Sequence, residues 1–395
     1  MPNTTKVSFE NTEIAFKNKS DRELKKAWWL FKIVASPFLV KMGRIFAKPA
    51  LYLGFKPLFK KTIFKQFCGG ENIEECEKTI EQLGKFNIGT ILDYSVEGET
   101  SEENLDHTKK EIILTTQKAK GNKNIPFCVF KVTGVVRFEI LEKVSAGVKL
   151  SAEEEEEWKR GVKRVEEICF AAAGAQTPIF IDAEESWIQQ AIDDLATEMM
   201  KRINKTEVII FNTYQLYRHD RLAYLKREVE AAKTGGYKVG AKLVRGAYME
   251  KERKRAEERN YPSPIQPDKA SSDRDYDAAL EYCVKHIDTV SICAGSHNEK
   301  SSLKLTELMA ANAIAPNDKR IYFAQLLGMS DHISYNLADA GYNVAKYVPY
   351  GPVKEVLPYL IRRAQENTSV KGQTGRELGL IIKERERRKK IATAK

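Results

Sequence analysis

Four polar side chains near the end of the chain, Tyr359, Arg362, Arg363 and Glu366, fall at i, i+3, i+4 and i+7. Wound as an α-helix they share one arc, with Leu357, Leu360, Ile361 and Ala364 on the opposite face. Adjacent guanidinium groups can grip a carboxylate through parallel hydrogen bonds; they can equally be the wet side of an amphipathic helix. A second set of polar residues closes short apolar runs: Asp93 after TIL, Lys131 after FCVF, Asp182 after IFI, Asn212 after VIIF, and Ser296, His297 and Asn298 after SICAG. Lys242, Arg245 and Tyr248 surround a further run. One charged strand end is usually a salt bridge, whereas several converging on one face are costly to crowd together without a ligand. Lys131 by itself would also suit a Schiff-base aldolase. A lone histidine such as His297 is more often structural than a ligand, but Ser296 and Asn298 beside it add hydrogen-bonding capacity that suits a polar cofactor. Cys293 reads as core, since nothing basic near it in sequence would lower its pKa.

The elements that would position these residues follow from the runs themselves. NIGTILDYS (87–95), IPFCVFKVTG (125–134), TPIFIDAEES (177–186), TEVIIFNTYQ (206–215), KVGAKLVRGAY (238–248), TVSICAGSH (289–297), RIYFAQLLG (320–328) and YNVAKYVPYG (342–351) are each followed by a helical stretch. Strands alternating with helices mean βα units and a parallel sheet. Eight units over about 270 residues predict an α/β chain folded as a (βα)8 TIM-type barrel, with chemistry at the C-terminal ends of its strands. A doubly wound open sheet is the competitor, but no run is followed by GxGxxG or GxxxxGK(S/T). Residues 1–86 read as an N-terminal helical arm or cap broken by Pro37, Pro49 and Pro57, residues 87–385 as the barrel, and 386–395 as a C-terminal tail. Ser151, ahead of the acids Glu153 to Glu157, reads as a helix N-cap.

With 395 residues, 42% hydrophobic and 30% charged, the chain can bury a sizeable core. Its six cysteines are scattered without a CxxC pair, and its five histidines show no HExxH spacing, so no metal site is expected. The net charge of +10 is unevenly spread. From Leu24 to Gly70 there is no acid, but there are ten basic and ten aromatic residues, Trp28 and Trp29 among them. Such a mixture suits an anionic surface, a membrane rather than nucleic acid; the alternative is a helical cap with its lysines in water. The longest uncharged run there, Ile33 to Val40, is far short of the ~18 apolar residues a membrane span needs. Glu10, Glu13, Asp21 and Glu23 argue against a transit peptide. That favours a cytoplasmic protein, peripheral on the inner membrane of a bacterium, over the alternative of the mitochondrial inner membrane.

GAKLVRGAYMEKE (240–252), DAEES (182–186), GSHN (295–298), QLLGMSDHIS (325–334) and KYVPYGPVKEVLPYLIRRAQEN (346–367) together resemble proline dehydrogenase, from about residue 10 to about 385. The wording is closer to the mitochondrial type than to the bifunctional bacterial enzymes. The resemblance implies a distorted barrel holding FAD at its strand ends, with the last helix lying over the barrel mouth. It implies hydride transfer from C5 of L-proline to flavin N5, giving 1-pyrroline-5-carboxylate, with electrons passed on to a membrane quinone. It also implies roles. Arg362 and Arg363 match the proline carboxylate clamp, Glu366 its brace and a cofactor contact, and Tyr359 the tyrosine packed on the proline ring. Lys131 and Asp182 match the charged pair under the substrate, with Asp182 and Lys242 as the catalytic pair. Lys242 stands where bacterial members often carry arginine near the flavin, and Arg245 replaces a common lysine. Ala183, Gly246, Ala247, Tyr248, Ser296, His297, Asn298, Gln325 and Leu326 match cofactor contacts, and Asn212 is placed where bacterial members have glutamine. The stretch PIQPDKASSD (264–273) is where the family holds the ADP part, without a match that assigns residues.

Overall fold

The computed structural model describes residues 7–34, 60–95, 100–357, 359–360 and 373–394. All eight expected runs are strands, and they close into a parallel barrel in the order β1-β2-β3-β4-β5-β6-β7-β8. The strands are β1 (Ile88–Tyr94), β2 (Phe127–Lys131), β3 (Ile179–Asp182), β4 (Ile210–Gln215), β5 (Val239–Val244), β6 (Val290–Gly295), β7 (Ile321–Leu326) and β8 (Val344–Tyr350). Closure is made by β1 on β8, with Ile88 opposite Val344 and Tyr94 opposite Tyr350.

Successive side chains on a strand point to opposite faces, so each strand feeds two cores. Ile91, Phe127, Val129, Phe180, Phe211, Cys293, Ala324, Ala345 and Tyr347 meet on the barrel axis. Phe127 stacks on Phe180 at 4.5 Å between centroids, and Phe211 meets both rings edge-on. The alternate residues, among them Leu92, Cys128, Ile181, Ile210, Leu243, Ile292 and Phe323, pack outward against the helices. An aromatic floor thus plugs the barrel, and whatever follows these residues by two positions stands above it.

Several of the surrounding helices begin on side-chain caps that satisfy their first backbone N–H groups. Ser151 forms a full capping box with Glu154 ahead of Ala152–Ala175, and Asn298 caps Glu299–Ala311. Two helices outside the βα repeat embrace one another: Leu24, Ala27 and Phe31 of Asp21–Val34 pack on Leu380 and Ile381 of Gln373–Thr393. The latter runs unbroken through residue 385, so the boundary set there between barrel and tail falls inside one helix. The N-terminal arm is riveted to the barrel by Lys19, 2.7 Å from Asp331, which also pairs with the buried Lys346 of β8 at 3.0 Å.

Candidate active site

The strand ends open into a cavity of about 750 Å³. Asp93, Lys131, Asp182 and Thr213 stand two residues beyond Ile91, Val129, Phe180 and Phe211, and they line it together with Lys242 and Tyr347. Carboxylates and ammonium groups therefore alternate over an apolar floor. Lys242 Nζ donates to Asp182 Oδ1 and, at 2.7 Å, to Tyr347 Oη. Tyr347 Oη in turn donates to Asp182 Oδ1 at 3.0 Å. The ammonium also lies 4.4 Å from the Tyr347 ring centroid and 5.3 Å from that of Phe180. Burial, and then the charges of Asp182 and Asp93, push the Tyr347 phenol well above its usual range, which keeps it a neutral donor. Lys131 ends β2 directly opposite Asp182 in register.

Behind this row, Glu184 is buried and accepts from Thr133 N at 3.1 Å and Thr133 Oγ1 at 2.6 Å. Its burial pushes the carboxyl up to about 8, against the opposing pull of Thr133 and Lys131. Arg245 uses its whole fork on protein groups: Asp273 Oδ1 at 2.6 Å, Ser296 Oγ at 2.9 Å and Ser301 Oγ at 3.0 Å, over the Tyr276 ring. Gly246 next to it has φ 137°, and a Cβ there would come within 2.3 Å of the Tyr217 ring, so the position demands glycine. Gln325 Nε2 donates to Ser296 O at 3.2 Å, and His297 Nδ1 lies 2.9 Å from Ser330 Oγ. At the rim, Glu299 accepts from Arg376 Nε at 2.8 Å and faces His332 Nε2 at 2.9 Å. Burial alone would raise the Glu299 carboxyl, but His332 and Arg376 hold it at about 2.

Of the residues expected at the site, Lys131, Asp182, Ala183, Lys242, Arg245, Gly246, Ala247, Tyr248, Ser296, His297, Asn298, Gln325, Leu326 and Tyr359 all line this cavity. Tyr359 does so with Leu357 and Leu360 buried beside it against Phe64, Phe67 and Val356. Arg362, Arg363 and Glu366 lie outside the described residues. Asn212 requires correction. It points away from the axis, donating to Asp193 Oδ1 at 3.0 Å beside the buried Arg221. The amide that lines the cavity from β4 is Gln215, three residues further on and on the inward face. Tyr347, Thr213, Glu299 and Arg376 were also missed. Counting by twos from the apolar floor finds the first two, while nothing local in the sequence signals the others.

A closed parallel barrel with crowded, mutually bonded charges at its strand ends defines a (βα)8-barrel enzyme. The comparisons narrow the class. The family model "Proline dehydrogenase" matches residues 76–376. Proline dehydrogenase 1, mitochondrial, of Dictyostelium discoideum is 33% identical over 98% of this chain and 76% of its own length. A hydroxyproline dehydrogenase of Xenopus laevis is 30% identical over 94% of this chain and 88% of its own. Proline utilization A from Bdellovibrio bacteriovorus superposes with a TM-score of 0.72 at 19% identity, over 91% of this chain and 38% of that longer one. The chain belongs to the proline dehydrogenase family of oxidoreductases.

Proposed function

We propose that the protein oxidises L-proline to 1-pyrroline-5-carboxylate, with FAD at the strand ends and a membrane quinone as final electron acceptor. The observation that carries this reading is the bonded set Asp182, Lys242 and Tyr347 beside Lys131, facing one cavity under Tyr359 in a barrel of this family. The cavity suits a large flat cofactor. Its volume lies within the roughly 300–1,000 Å³ of ligand sites. Lys242, Arg245, Ser296, His297 and Gln325 supply polar groups, and Gly246 and Ala247 let a ring approach the backbone. FAD, when bound, would supply the two-electron acceptor that no side chain offers.

The residues of the chain do the rest. Arg362 and Arg363 hold the proline carboxylate, a task for a planar fork rather than a point charge. Asp182, fixed by two donors, and Lys131 opposite it align the amine end of the substrate. Lys242 would turn a positive charge toward the bound acceptor, the arrangement that stabilises negative charge there. Tyr359 would pack on the substrate ring, where its bulk would discriminate against a ring hydroxyl. A second reading, hydroxyproline as substrate, draws support from the Xenopus relative, and the ratio of the two activities decides between them. Residues 24–70 make peripheral contact with the membrane that carries the quinone. Among the described residues no helix is long and apolar enough to cross a membrane. The relatives named mitochondrial speak for the mitochondrial inner membrane over a bacterial one.

Dye-coupled oxidation of L-proline tests the reading. Arg363→Ala should raise KM for proline at least about thirtyfold, the lower end of what breaking a buried charge pair costs. Unchanged KM would remove the carboxylate clamp, and absence of proline oxidation by the parent enzyme would remove the function.

A further inference from the structure

We infer that the Asp21–Val34 helix and the C-terminal half of the Gln373–Thr393 helix form a single docking face for an anionic lipid bilayer. The inference rests on the reading above that the electron acceptor is membrane-borne, and it goes beyond it by adding a second helix and naming the contact residues. Leu24, Ala27 and Phe31 turn inward. At about 100° per residue the outward stripe is Arg22, Lys26, Trp29 and Ile33, flanked by Lys25 and Lys32. Trp29 is 52% exposed and Ile33 46%. A half-exposed indole and an isoleucine ringed by ammonium groups is the composition of a helix lying at a membrane interface.

The second helix joins this stripe through stacked cations. Lys32 Nζ lies 4.8 Å from the Trp28 ring centroid, and Arg385 of the C-terminal helix lies 5.3 Å from the same ring. Along that edge Ile382 and Lys389 accompany Arg385 at i−3 and i+4, both exposed. Among the acids nearby, Asp21 is paired with Arg388, Glu23 is bonded to Ser20 and Glu384 is paired with Arg387 and Arg388, which leaves Glu386 as the exposed acid with no ion pair among the described residues. Among the described residues Lys25, Lys26, Lys32 and Arg385 are within salt-bridge distance of no carboxylate, so the face offers its charge outward. The apolar component favours a bilayer over nucleic acid, whose backbone would be met by cations alone. The same C-terminal helix carries Arg376 on the cavity rim, and nine residues of α-helix place Arg376 about 14 Å from Arg385. Docking would therefore hold the cavity mouth at a set height over the membrane.

The test is co-sedimentation of the full chain with vesicles of phosphatidylcholine, with and without phosphatidylglycerol. Binding should require the anionic lipid and weaken as salt is raised. The variants Lys25→Glu/Lys26→Glu/Lys32→Glu and Arg385→Glu/Lys389→Glu should each lose binding at least about tenfold, given roughly 1 kcal/mol per surface cation. Trp29→Ser should weaken it further at high salt. Dye-coupled proline oxidation should stay at the parent level in all three, which also shows that they fold. Equal binding to neutral vesicles, unaltered binding by the variants, or a preference for single-stranded nucleic acid over the vesicles would overturn the inference. Vesicle binding by a protein that never oxidises proline would leave the docking face standing and remove the proposed function instead.

Discussion

Tyr347 joins the two catalytic candidates, since its hydroxyl accepts from Lys242 and donates to Asp182. Tyr347→Phe keeps the ring under the ammonium but deletes both bonds. In steady-state kinetics it should lower kcat/KM for proline by at least about tenfold, the worth of one hydrogen bond to a charged group. An unchanged kcat/KM would show that Asp182 and Lys242 orient each other unaided. Glu184 acts at the same scale through a proton. Its carboxyl is raised to about 8 from an ordinary value of 4.5, so the folded protein binds a proton there that the unfolded chain has released. Stability from this group is full below 4.5 and declines as pH rises toward about 8, by at most ~1.4 kcal/mol per unit. Glu184→Gln should remove that slope from thermal unfolding measured between about pH 5 and about pH 8. Identical slopes in both proteins would contradict a buried, protonated Glu184.

The strands were legible because a barrel strand is buried on both faces and announces itself as an apolar run bounded by polar residues. Their ends were less so. Asn212 was read as the end of β4 because it is the first polar residue of VIIFNTYQ, but the strand continues to Gln215, and a shift of three reverses the face. Lys346 had no local signal at all. Its partners Asp331 and, through Asp331, Lys19 come from elsewhere in the chain, and only the folded barrel brings them together. The same holds for the clasp that fixes the C-terminal helix: Arg376 binds Glu299 on the barrel rim and Glu10 on the N-terminal arm. Because Glu299 is held at about 2, its contribution is present above 4.5 and is lost as pH falls through about 2. Allowing for its partial exposure, the loss is about 1–2 kcal/mol. Protection factors in residues 375–394, corrected for the pH dependence of intrinsic exchange, should therefore fall at about pH 3 relative to about pH 5, and in Glu299→Gln they should already be low at the higher value. Exchange in that helix independent of both would show that apolar packing on Leu24 and Phe31 holds it alone.

At the scale of the molecule, two features of the sequence separate in space. The alternating carboxylates and ammonium groups gather above the aromatic plug of the barrel, while Lys25, Lys26 and Lys32 stand exposed on an N-terminal helix packed against the C-terminal one. One long helix reaches from the cavity rim to that basic face. Such a layout suits an enzyme that takes electrons from a small zwitterion on one side and delivers them to a lipid-soluble carrier on the other. The direct test is the visible spectrum of the purified protein during anaerobic titration. The protein should be yellow, with oxidised-flavin absorbance that bleaches with L-proline and persists with hydroxyproline. A colourless protein, or a flavin that stays oxidised in the presence of L-proline, would contradict the proposed function.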